Sequence, residues 1–288
     1  MELWVPITLF AAAMQTVRTG WQKALKTDMD DYAVTWARFG FALPLAPLYL
    51  VLLVASGLAL PVVNSQFFTA AAIAGVLQII ATIMLVALFS RREFAVCTAF
   101  SKTEAVQVAL LGSLFFGEDL SLLGMYGVAL GGIGIALMLP RGGSWQTAAI
   151  GICSGTAFAL TGLFVRQAIF ALGDADPLAA AAMTLAVMLL LQTLLLGIVL
   201  CFRSGAPFRR LWQARGHALA VGVSGFLGSI GWATAFALTN PAYVKTLAQV
   251  ELPLAYVLGR TVFREKLRPL EIIAMSICAI AAIVVAFV

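Results

Sequence analysis

Apolar residues run through this chain in blocks of about twenty, broken by short polar stretches that hold most of the charges. A helix rises ~1.5 Å per residue, so about 20 residues cross a hydrocarbon core of about 30 Å. Measured this way, the pattern predicts ten membrane-spanning helices, over 3–23, 32–54, 67–89, 95–116, 121–139, 146–168, 178–202, 217–238, 242–263 and 269–287. The longest connections lie near 55–66 and 203–216, and no soluble domain fits into them. Function must therefore reside in the bundle. The first block lacks a basic start and carries Arg18 inside, which argues for a structural helix rather than a signal peptide.

The pattern also repeats. Glu104 is followed by Glu118 in Phe115-Phe116-Gly117-Glu118-Asp119-Leu120, and an offset of 147 carries both onto Glu251 and Glu265 in Val262-Phe263-Arg264-Glu265-Lys266-Leu267. The same offset aligns Gly112 with Gly259, Phe116 with Phe263 and Ala95 with Ala242. The chain thus divides into repeats over 1–140 and 145–288. Five helices per half is an odd number, so the second half enters the membrane inverted. Inverted repeats are a transporter architecture in which the substrate site lies at the repeat interface near the midplane. Glu104 and Glu251 each stand about 12 residues, or roughly 18 Å, from a helix end, which brings both near that plane.

Composition agrees with the membrane reading. The chain is 62% hydrophobic and 11% charged with mean hydropathy +1.01, whereas soluble domains are about 25% charged. A net charge of +5 raises the question of nucleic acid, yet the cations sit in short loops beside the spans, and no nucleic-acid partner is expected. Lys26, Arg91, Arg92, Arg141, Arg203, Arg209, Arg210, Arg215, Arg264, Lys266 and Arg268 all fall in one alternating set of loops. The positive-inside rule places that set in the cytoplasm and both termini outside a plasma (inner) membrane. Cys97, Cys153, Cys201 and Cys278 lie in apolar spans without metal or CxxC spacing and read as buried thiols. The single histidine, His217, sits at a span edge; with no His-Asp-Ser set, metal cluster or phosphate loop, neither an enzyme nor a cofactor or metal is expected.

Ten short spans, two five-helix repeats, Phe-Phe-Gly-Glu-Asp-Leu-Ser with its echo, and Asn240-Pro241-Ala242 followed by Glu251-Leu252-Pro253-Leu254-Ala255 resemble the drug/metabolite transporter superfamily, and within it the EamA family. Asp31 with Trp36-Ala37-Arg38-Phe39 is similar to the family's second-helix signature, and Asp174 to Pro177 to the same junction in the second half. Val106 departs from the pattern, standing where the repeat places Pro253. The resemblance implies an alternating-access carrier of small metabolites such as amino acids, with a cavity lined mainly by helices 1, 3, 4, 6, 8 and 9.

An ionisable residue in a span costs several kcal/mol on insertion scales unless it pairs or meets water, so each is a functional candidate. On a regular helix 4, Lys102 and Glu104 are about 200° apart and face different ways. Glu104 and Glu251 have three open readings: scaffolding partners of Arg18, Arg38, Lys102 or Lys245; ligands for an ammonium group; or proton-coupling groups. Lys102 and Lys245 are the candidates for a substrate carboxylate or phosphate. Thr98, Ser101 and Gln249 join them as the polar neighbours whose mismatch between repeats makes the site asymmetric, and Trp232 as an aromatic wall. Arg18 and Arg38 read as structural or coupling charges, and Lys23 and Arg166 as residues reaching for the interface. The expected substrate is an amino acid or related zwitterion; an organic anion or phosphorylated-metabolite exchanger and a lipid flippase are the alternatives.

Small residues complete the picture. Gly124, Gly127, Gly131 and Gly134 on helix 5 and Ala274, Cys278 and Ala282 on helix 10 permit close packing, within the chain or in a homodimer. Gly222, Gly225, Gly228 and Gly231 on helix 8 leave two readings, a flexible cavity-lining helix or tight packing. Glu118 and Glu265 are expected to complement the helix N-termini that follow them.

Overall fold

In the computed structural model the described residues are 2–90, 97–98, 101–138, 145–203, 206–264 and 269–287. Ala95, Phe100, Glu265 and the loop cations Arg91, Arg92, Arg141, Lys266 and Arg268 lie outside them. The described residues are helical throughout the secondary structure, with no strand among them.

The first half holds α1 (Trp4–Leu25), α2 (Asp31–Gly40), α3 (Leu45–Ala55), α4 (Ser65–Leu88), α5 (Glu104–Phe115) and α6 (Leu122–Met138). The second holds α7 (Trp145–Phe170), α8 (Pro177–Cys201), α9 (Pro207–Gln213), α10 (Arg215–Leu238), α11 (Pro241–Leu247), α12 (Glu251–Thr261) and α13 (Pro269–Ala286). Among the described residues, five stretches are long and apolar enough to cross a membrane: 31–55, 65–88, 145–170, 177–201 and 215–238. Three shorter apolar helices accompany them, Glu104–Phe115, Leu122–Leu137 and Ile272–Ala286.

Side-chain caps set where several helices begin. Asp30 accepts from the Ala33 amide, Asn64 from Phe67, Asp176 from Leu178 and Asn240 from Ala242, each at 2.8 Å. Proline opens α8, α9 and α11, where its missing N–H has no helical partner to lose.

Three predicted continuous helices are interrupted. The stretch 32–54 is α2 and α3, separated at 41–44; Pro44 has no N–H to offer the Gly40 carbonyl, so the helix cannot run through. In 242–263, α11 and α12 are joined by a tighter 3₁₀ turn over Ala248–Val250, and Pro253 likewise withholds a donor from Gln249. The third break falls at Lys102–Thr103, immediately before α5. It needs no proline: the Ala105 amide donates 3.2 Å to the Lys102 carbonyl, an i−3 bond that tightens the chain. Glu104 and Glu251 are therefore each the first residue of a new half-helix. The short helix α9, inside the connection 203–216, is absent from the pattern-based prediction.

Three helix pairs run together along much of their length: α4 with α7, α1 with α10 and α6 with α13. Glycines set the close approaches. A Cβ on Gly228 would lie 3.5 Å from the Ala11 carbonyl and the Gln15 amide, and one on Gly231 only 2.9 Å from Ala11 Cβ. Tight packing of α1 on α10 is thus the role of these two glycines. The exterior is apolar, with Leu48, Val51 and Leu52 of α3, Leu194 and Ile198 of α8, and Ile273 and Ile283 of α13 exposed. Arg18, Arg38, Lys102, Glu104, Lys245 and Glu251 are buried instead. Charge inside and hydrocarbon outside is the reverse of a soluble domain and fits a protein solvated by lipid.

Candidate functional site

The two half-helix starts bring their glutamates to the middle of the bundle, where six side chains close a circuit. Lys102 Nζ lies 2.8 Å from Glu251 Oε1 and 3.3 Å from Glu104 Oε1. Lys245 Nζ lies 3.1 Å from Glu104 Oε2. From Glu251, the path continues to Gln15, whose Nε2 donates to Glu251 Oε2 at 3.1 Å. Trp232 Nε1 donates to Gln15 Oε1 at 3.0 Å, and Lys245 Nζ sits 4.7 Å from the Trp232 ring centroid, completing the ring. Three members, Gln15, Lys102 and Glu104, come from the first half of the chain; Trp232, Lys245 and Glu251 come from the second. Two lysines balance two carboxylates, so the ring is electrically neutral.

Lys102 and Glu104 meet although a regular helix would turn them apart. The break at Lys102–Thr103 releases the lysine from the α5 phase, and its long stem then reaches both carboxylates. This corrects the expectation of opposed faces. It also leaves Lys102 fully buried and engaged with two carboxylates.

A second polar region adjoins the ring. Arg38 Nη1 donates to Thr82 Oγ1 at 2.6 Å, while Arg38 Nε is buried without a hydrogen-bond partner. Arg18 is 1% exposed, and its Nε and Nη2 are also unpartnered. The stems run side by side across Gly225: a Cβ there would lie 3.3 Å from Arg38 Cγ and 3.4 Å from Arg18 Cδ. Gly225 thus makes room for the two arginines, a second use of the glycine series on α10. Among the described residues, neither arginine forms an ion pair with a carboxylate.

Between these regions lies a cavity of about 40 Å³, room for a few waters. Arg38, Lys245, Gln15 and Gln78 reach it, with hydroxyls from Thr161, Thr184 and Ser229. Phe158, Val165, Met188, Trp232 and Phe236 form its apolar wall. No carboxylate lines it.

The other residues proposed from sequence fall around this centre. Trp232 and Lys245 line the cavity. Thr98 and Ser101 are buried next to one another, the Ser101 hydroxyl donating to the Thr98 carbonyl at 2.8 Å, and neither lines it. Gln249 is buried against Gly131 of α6, outside both ring and cavity. Gln15, a ring member, was missing from the sequence-derived site. Its signal was present: Gln15, Arg18 and Gln22 fall three and four residues apart, one polar stripe along an otherwise apolar α1.

Peripheral expectations change as well. Arg166 Nε pairs with Glu118 Oε1 at 2.5 Å, and Arg166 Nη1 donates to the Phe236 carbonyl and to the Thr239 carbonyl at 2.6 Å. The arginine is therefore an internal tie rather than a residue reaching for the interface, and Glu118 is its partner as well as a turn residue. Of the four thiols, Cys97 and Cys278 are buried, whereas Cys153 and Cys201 are exposed on helix surfaces.

No protein-family model and no curated protein matches the chain. Among solved structures the chain resembles one described only as the crystal structure of a protein, with TM-score 0.67 and 14% identity over 98% of each chain. That likeness carries the fold over its whole length and nothing of the activity.

Proposed function

We propose that the chain is a secondary active transporter of the plasma membrane, moving small metabolites with a carboxylate end, amino acids among them, by alternating access. In this reading ten spans form two inverted five-helix repeats, and α2 with α3 makes one of the spans.

The observation that carries the reading is the closed six-residue ring beside a polar cavity, built half from each repeat in an apolar helical chain. The packing supports the symmetry. Matching repeats pairs α1 with α7 and α4 with α10; the close pairs α1–α10 and α4–α7 then exchange under one twofold relation. The two breaks support it too, since each repeat starts a half-helix at its glutamate. A cavity of about 40 Å³ is too small for an amino acid, so loading requires the repeats to rock apart. The ring's Lys102–Glu251 and Lys245–Glu104 pairs cross between the halves and would act as the point about which the halves rock.

Counterflow tests the proposal. Purified protein in liposomes loaded with an unlabelled amino-acid mixture should accumulate external labelled substrate transiently. No accumulation across amino acids, carboxylates and organic phosphates would reject transport.

A further inference from the structure

The ring and the arginine pair differ in charge balance, and that difference locates a ligand. Among the described residues four cations and two carboxylates are buried. The ring uses two of the cations and both carboxylates. The excess of two positive charges therefore falls on Arg18 and Arg38; Arg18 feels the attraction of Glu251 and Glu104 at longer range, whereas Arg38 faces only the like charge of Arg18. An unpaired charge in a low-dielectric interior is strongly unfavourable, and guanidinium, which does not lose its proton in proteins, cannot escape by deprotonating.

Arg38 also has the geometry of a binding residue. It is 2% exposed, reaches the cavity and carries a buried Nε–H without a partner. Its planar fork suits a carboxylate, which accepts two parallel N–H bonds. Thr82 holds the other edge of the guanidinium and so fixes its orientation. Arg18, against the same glycine, adds positive field behind it. Lys245 also reaches the cavity, but its ammonium is committed to Glu104 and to the face of Trp232.

We infer that Arg38, backed by Arg18, is the anion subsite of the cavity and takes the carboxylate of the substrate, while the lysines belong to the ring. The inference rests on the transporter reading above. It further requires the carboxylate and not the ammonium to be the recognised group: no acid lines the cavity, so an ammonium would be desolvated without a counter-charge. The remaining wall, Phe158, Val165, Met188 and Phe236, selects an apolar body. The substrate class is a small organic carboxylate with a hydrophobic tail, with or without an amino group.

Three probes with one carbon body separate these claims: isocaproate, which has only the carboxylate; leucine, which has both groups; and isoamylamine, which has only the ammonium. Binding is read on detergent-purified full-length protein by calorimetry and by the ligand-induced shift in melting temperature. Isocaproate and leucine should bind, isocaproate at least as tightly, and isoamylamine should not. In Arg38→Gln isocaproate affinity should fall about tenfold or more, as for loss of a charge-assisted contact, with Arg38→Lys intermediate. Binding of isoamylamine as tight as isocaproate, failure of both carboxylates to bind at millimolar concentration, or wild-type isocaproate affinity in Arg38→Gln would overturn the subsite. The wild-type comparison decides the matter even where a variant does not fold. Liposome flux separates the two levels: carboxylate binding without flux counts against transport alone, and flux of an amine without carboxylate binding counts against the anion subsite alone.

Discussion

Two groups of charge share the interior of this bundle and meet on α1, which carries Gln15 of one and Arg18 of the other. In the ring, two lysines and two glutamates neutralise one another, and Gln15 and Trp232 close the circuit. In the arginine pair there is no carboxylate at all, and three guanidinium nitrogens are buried without partners. Burial is equally deep in both, so depth does not distinguish structural from ligand-binding charge. Charge pairing does. A buried network whose charges are paired fixes one arrangement, whereas an unpaired one is stabilised by a counter-charge that arrives to complete it.

The comparison can be broken most forcefully at the ring. Glu104→Gln leaves Lys245 without its ion-pair partner and Lys102 with Glu251 alone, and removing one partner of a buried ion pair costs about 3–5 kcal/mol. Unfolding of the purified variant in a denaturing-detergent titration should show that loss; a variant as stable as wild type would mean the ring does not hold the halves together. Gln15→Leu breaks the circuit more gently, leaving Glu251 Oε2 and Trp232 Nε1 without each other's bridge, and should cost about 1–3 kcal/mol in the same titration. An effect equal to that of Glu104→Gln would make the amide, not the ion pairs, the dominant link. On the arginine side, Gly225→Ala crowds both stems at 3.3 and 3.4 Å. Flexible stems can yield, so stability should change by about 1 kcal/mol while isocaproate affinity drops several-fold. Unchanged affinity would show that the stems are not held in a binding posture.

Where sequence reasoning worked, it worked because lipid imposes a simple rule. Apolar blocks of the right length became helices close to their predicted ends: 146–168 is the helix Trp145–Phe170, and 217–238 is Arg215–Leu238. The repeated glutamates did come together. What failed was the assumption that an apolar block is one uninterrupted helix. Pro44 signalled one break and Pro253 another, but nothing in Ser101-Lys102-Thr103-Glu104 marks the third, since its cause is a local i−3 bond. That break alone reverses the inferred directions of Lys102 and Glu104. The lysines were favoured as anion ligands because charge type was visible and charge pairing was not. Pairing between residues as far apart in the chain as Lys102 and Glu251 is set by how the helices pack and leaves no local trace.

The account turns on opposite behaviour of the two charge groups when no ligand is present. The most direct test is the stability of ligand-free Arg18→Met set beside Glu104→Gln in one denaturing-detergent titration. Replacing a buried cation that has no ion-pair partner by an apolar chain of similar length should leave the protein at least as stable as wild type, because its desolvation outweighs its longer-range attraction to Glu251 and Glu104, while Glu104→Gln loses stability. If Arg18→Met instead falls as far as Glu104→Gln, the arginines are scaffold like the lysines, and the division between a finished ring and an open anion subsite is contradicted.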